Sequence, residues 1–166
     1  GVDKPTSGKV IINNIDIHPF SIPHDARDPV SYQIESADTR IGTVTDLGYF
    51  DDSIVNELQD CDLLYVEANY DLHMLQAGPY PYQLKCRIAG NYGHLCNEMS
   101  GQLIGRLLNE RLQKVILGHL SKENNYPQLA WETVRMEVTM GENPYKGSDF
   151  PMVVAKRDEV SELVRI

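Results

Sequence analysis

The chain has 166 residues, 42% of them hydrophobic and 23% charged, a composition that suits one folded domain rather than a disordered segment. Its net charge of −9 argues against broad, non-specific binding of nucleic acid through a basic face, but not against an enzyme that grips phosphate through metal ions. Three cysteines without a CxxC pair argue against a disulfide framework or a thiolate zinc site and fit a reducing cytoplasm. No apolar run reaches the roughly 18 residues of a membrane span, and no signal-peptide pattern is present. The chain opens at Gly1 rather than Met, as a piece of something longer would.

Residues 9–17 alternate apolar and polar side chains and read as a strand, with His18 and Pro19 in the loop beyond it. Residues 30–35 and 40–45 continue the period-2 pattern, which suggests antiparallel pairing. Helical spacing then takes over at 51–60. A short apolar run at 63–66 reads as a buried strand and delivers Glu67, Asn69 and Asp71 at its end. Gly78-Pro79-Tyr80-Pro81 breaks the chain before a short helix over 82–89. Asn97 is placed to cap the helix that carries Met99, Leu103, Ile104 and Leu107. Residues 114–117 read as another buried strand, Pro127 starts a further helix, 141–147 is a loop, and 150–156 a last strand. This order predicts an α/β domain.

Three strand ends carry metal-capable residues: His24 in IPHDARDP, Asp46 in TVTDLGY and His119 in VILGHLS. Imidazole with carboxylate suits zinc, manganese or iron. Each residue alone also fits an ordinary role, a hydrogen-bonded loop histidine or turn chemistry at Asp46-Leu47-Gly48. His94 stands just before a helix start, where free N–H groups attract phosphate. Glu67 and Asp71 can steady such histidines or simply cap a helix. Lys85 and Arg87 can meet a phosphate or lie on a solvated helix face. His18 and His73 read as ordinary residues.

The succession HDARDPVSY, TDLGYFDD, LLYVEANYDLHMLQAGPYPYQLKCRI, GHLCNEMSGQLIGRLL and VILGHLSKENNYPQLA resembles the YycJ (WalJ) group of metallo-β-lactamase-fold hydrolases. The resemblance implies the carboxy-terminal half of an αββα sandwich, a mixed sheet with helices packed on one face. It implies that His24, Asp46 and His119 bind metal, with Asp46 bridging two ions. It gives His94 a catalytic role at the phosphate, and makes Glu67 a support for that histidine or the metal shell. It also implies two divalent ions, zinc or manganese, and a 5′ exonuclease acting on DNA. RNA or a cyclic phosphodiester is the alternative substrate, and a metal-free interaction module the non-enzymatic alternative. Cys96 stands where the group commonly has serine. The larger departure is the family's H-x-H-x-D-H cluster, which is not found in these 166 residues. The chain alone is therefore expected to bind metal weakly or not at all and to be inactive. One sheet face is expected to lie bare, to be covered by self-association or by an amino-terminal half.

Overall fold

A computed structural model describes residues 8–166; Gly1 lies outside them. β1 (Val10–Ile12) and β2 (Ile15–Ser21) form a hairpin turning at Asn13 and Asn14, with Asn13 at φ +55°. Asparagine enters that left-handed region more readily than most residues. The single strand expected over 9–17 is therefore two, because an Asn-Asn dipeptide reverses the chain. His18 and Pro19, expected in a loop, lie inside β2. Among the described residues the outer edge of β2 is paired only as far as Ile17, so the missing N–H of Pro19 breaks no ladder seen there.

β3 (Val30–Ser36) and β4 (Thr39–Val44) extend this antiparallel meander. From β4 onward the pairing is parallel through β5 (Leu63–Glu67), β6 (Lys114–Gly118) and β7 (Met152–Val154). The seven strands follow chain order across one sheet. Parallel neighbours need crossovers, supplied by α1 (Asp52–Leu58), by α2 (Leu72–Ala77), α3 (Tyr82–Ile88) and α4 (Asn97–Leu107), and by α5 (Pro127–Met140). Crossovers that keep one hand and advance in one direction put their helices on one face.

That face is the core. Val44, Leu64, Val66, Val115 and Leu117 point into it and meet Leu58 of α1, Leu103 and Ile104 of α4, and Val134 of α5. By strand register, Ile12, Ile15, Ile17, Tyr32, Ile34, Ile41, Tyr65, Ile116 and Val153 share the other face. None of them belongs to the helix-covered core. Ile12 is 54% exposed and Tyr32 41%, so this apolar surface is open.

Two local details depart from the sequence reading. The cap of α4 is Cys96, whose Sγ accepts from the Met99 N–H, and Asn97 is the first helical residue. The Asn97 side chain is fully buried and paired instead with Asn125. α2, six residues with one buried apolar side chain, has no counterpart in the periodicity, but Asp71 takes the capping role left open to it, accepting from the Met74 N–H at 2.7 Å.

Candidate metal centre

The site lies at the carboxyl ends of the central strands, where parallel sheets present their loops. Asp46 follows β4, Glu67 ends β5 and His119 follows β6. Asp46 and His119 both adopt left-handed backbone, φ +59° and +55°. Such conformations in non-glycine residues cost of order 1–3 kcal/mol each and persist where surrounding bonds over-determine them. At His119 one such bond is the Asn69 amide donating to its carbonyl at 2.8 Å. At Asp46 another is its own N–H, which donates to Glu67 Oε2 at 3.2 Å.

His24 follows β2, and its Nδ1 donates to the Gly93 carbonyl at 3.0 Å, which leaves Nε2 for another partner. The loop holding Gly93 and His94 is brought close by Gly48: a Cβ there would lie 2.2 Å from the Asn91 carbonyl oxygen, and the Gly48 N–H donates to Pro23. Glycine at 48 therefore lets the Asp46, His24 and His94 loops meet. The imidazoles form a row, with ring centroids 5.2 Å apart from His24 to His94 and again from His94 to His119.

Asp46 faces all three. Its Oδ1 is 3.6 Å from His24 Nε2, 3.8 Å from His94 Nδ1 and 3.8 Å from His119 Nε2. These spacings are too long for good hydrogen bonds. Ligand atoms about 2.0–2.2 Å from one tetrahedral zinc stand roughly 3.3–3.6 Å apart, so the spacing to His24 Nε2, and nearly that to His119 Nε2, suits donors around an ion, while His94 Nδ1 is taken by Glu67. Among the described residues, His24, Asp46 and His94 form one potential metal group; Glu67, His94 and His119 form another.

Glu67 is better read as the holder of the site than as a ligand. It is fully buried and receives five donors. Oε1 accepts from the Leu47 N–H at 2.7 Å and the Leu95 N–H at 3.0 Å. Oε2 accepts from the Asp46 N–H, from His94 Nδ1 at 3.2 Å and from His119 Nδ1 at 3.0 Å. A carboxylate offers about four lone-pair sites, so none is left for a metal. Burial pushes the Glu67 carboxyl up, but the bonds from His119, His94 and Leu95 together hold it below the ordinary glutamate value. The same bond raises the pKa of His119, opposed by burial and helped by Asp46. With protons on Nδ1, the Nε2 atoms of His94 and His119 keep free lone pairs, the tautomer a metal ligand or proton acceptor requires. Further back, Ser100 donates to the Glu67 carbonyl at 2.6 Å, and Asn125 donates to the Ala68 and Asn69 carbonyls. Sequence reasoning missed both supports; the adjacent Asn124-Asn125 pair after HLS was the available signal.

Asp71, Lys85 and Arg87 do not join this cluster. Asp71 caps α2, and Lys85 donates to the Gln76 carbonyl at 2.7 Å. Arg87 pairs with Asp25 at 2.5 Å and lowers the pKa of that acid. It lines, with His24 and His94, a neighbouring cavity of about 250 Å³.

The fold has solved counterparts. The metallo-β-lactamase-fold protein YhfI from Bacillus subtilis superposes with a TM-score of 0.63 at 15% identity, over 94% of this chain and 53% of that one. Zinc-bound PqqB from Methylobacterium extorquens does so with a TM-score of 0.61 at 13% identity, over 90% of this chain and 51% of that one. In sequence, exodeoxyribonuclease WalJ of Streptococcus pneumoniae serotype 2 (strain D39) is 35% identical over 153 residues. The chain has the metallo-β-lactamase fold and is a relative of WalJ. The match covers 92% of this chain and 56% of WalJ, so the chain spans about half the length of that relative. No protein-family model matches it. The one-sided helix layer and the open sheet face agree with half of a metallo-β-lactamase sandwich. No helix among the described residues is long and apolar enough to cross a membrane.

Proposed function

We propose that this chain is the carboxy-terminal part of a metal-dependent phosphodiesterase, a cytoplasmic 5′ exonuclease acting on DNA. The observation that carries the reading is one carboxylate, Asp46, facing three imidazoles of which two are steered by a buried glutamate. The name of the WalJ relative supports nucleic acid as substrate. Two divalent ions, zinc or manganese, would supply an activated water and a clamp on the phosphate oxygens. His24 Nε2, His119 Nε2 and Asp46 would hold them, with Asp46 shared. His94, its Nδ1 proton directed at Glu67, keeps the Nε2 lone pair free to take up a proton and, once protonated there, to pass it to the departing oxygen. Glu67 fixes both tautomers.

Three metal-holding side chains do not complete a two-ion site. The remaining ligands come, in this reading, from an amino-terminal half carrying the H-x-H-x-D-H cluster. The chain alone binds metal weakly and does not turn over substrate. The nuclease reading is tested with the full-length protein and Mn²⁺ or Zn²⁺ on end-labelled DNA and RNA. Chelator-sensitive release of nucleotides from the 5′ end of DNA is expected; action confined to RNA would redirect the substrate, and no hydrolysis of either would overturn the reading.

The open sheet face has a consequence for assembly. Contiguous apolar patches beyond a few hundred Å² usually find a partner. The chain on its own is expected to self-associate through this face, and its amino-terminal half to displace that contact. Light scattering at micromolar concentration checks this; a stable monomer would count against it.

A further inference from the structure

On the His119 flank of the cluster a cavity of about 760 Å³ opens between the loop after β6 and the segment after β7. That volume is within the roughly 300–1,000 Å³ of small-ligand sites. In a chain with 24 acids and 15 Lys and Arg, its lining runs against the overall charge. It holds Lys122, Lys156 and Arg157 against the single carboxylate of Asp158. Lys156 is paired with Glu159, outside the lining, at 2.5 Å, but both side chains are about two-thirds exposed, and such pairs exchange readily for another anion. Arg157 donates to the Leu120 carbonyl, which holds the guanidinium beside the loop that carries His119. Tyr126, half exposed, stands at the start of α5 on the same cavity, and Tyr65 lies in its wall.

Cations following a backbone, with an aromatic face among them, are what single-stranded nucleic acid requires. We propose that this cavity is the channel by which a single strand reaches Asp46 and the imidazole row. Lys122, Lys156 and Arg157 contact successive phosphates, and Tyr126 stacks on a base. The assignment rests on the phosphodiesterase reading of the site. It also offers an acidic chain a place to hold nucleic acid, because three of its cations gather in one cavity that reaches His119. A base must be out of a duplex to stack on Tyr126, so the channel takes a frayed or single-stranded end.

The test is binding to the full-length, metal-loaded protein, followed by fluorescence anisotropy with a phosphorothioate oligodeoxythymidine that resists cleavage. The triple variant Lys122→Ala, Lys156→Ala, Arg157→Ala is expected to bind about tenfold or more weakly. Its log–log salt dependence is expected to be shallower by about 2, the share of three lost phosphate contacts on a single strand. Tyr126→Ala is expected to lose about fivefold and Tyr126→Phe to retain parental affinity. Arg106→Ala, on α4 and outside the cavity, is a single-cation control and is expected within about twofold of the parent. Binding by the triple variant within twofold of the parent, or an unchanged salt slope, would overturn the channel. All three cations are exposed, so the variant is expected to fold, and its thermal melt checks this. Hydrolysis of bis(p-nitrophenyl) phosphate by the parent protein reports on the phosphodiesterase site separately. Its failure would remove that reading whatever the anisotropy shows.

Discussion

Asp46→Asn in the full-length protein is expected to lower phosphodiester hydrolysis by about a thousandfold. In the proposed site Asp46 would neutralise and position both ions, and losing several kcal/mol of that stabilisation would correspond to about three powers of ten in rate. Asparagine is the appropriate replacement because residue 46 sits at φ +59°, which asparagine tolerates and a β-branched residue does not. The structural penalty is expected to be small, within about 0.5 kcal/mol, since the side chain is 41% exposed and its one hydrogen bond, from Thr45, is long at 3.4 Å. Turnover of labelled DNA, bound metal and the thermal melt together check it. A variant that keeps more than a tenth of the parent's turnover would remove Asp46 from the centre of the site.

Glu67 separates folding from chemistry. Glu67→Ala leaves five donors without their acceptor, among them the N–H groups of the buried Leu47 and Leu95. At about 1–3 kcal/mol for a buried unsatisfied group, a loss of roughly 3–5 kcal/mol is expected, a large part of a typical domain's stability. Glu67→Gln should behave differently. Its carbonyl oxygen can still accept from Leu47 and Leu95, and its two N–H groups can donate to Nδ1 of His94 and of His119, while the Asp46 N–H loses its acceptor. Both imidazoles then carry their proton on Nε2, the wrong tautomer for the site. The glutamine variant is expected to fold, to lose only part of the alanine variant's stability, and to bind metal about 10–100-fold more weakly than the parent. Parental metal affinity in Glu67→Gln would show that Glu67 does not set the tautomers.

Much of this was legible in the sequence because periodicity is local. The apolar runs at 63–66 and 114–117, the helical spacing after Asn97 and Pro127 at a helix start all correspond to observed elements. His24, Asp46 and His119 could be picked out because each follows an apolar strand. What failed was decided by contacts distant in sequence. Asn97 is not a cap because its amide is used by Asn125, 28 residues on. The role of Glu67 rests on donors lying between 20 and 52 residues away, which no local pattern encodes. α2 is too short for its period to register, and the β1–β2 turn is carried by two asparagines within a run of isoleucines. A bare sheet face was expected from the family's layers, but which residues form it is fixed by register, which puts the outward isoleucines of five strands on the same side.

Metal stoichiometry tests most directly the proposal that the site is assembled from two parts. The purified chain, alone and then mixed with its amino-terminal half, is equilibrated with Zn²⁺ or Mn²⁺, passed through gel filtration and analysed for bound metal. Less than one retained equivalent is expected for the chain alone, and about two for the mixture, accompanied by the appearance of phosphodiester hydrolysis. Two tightly held equivalents on the chain alone would contradict it.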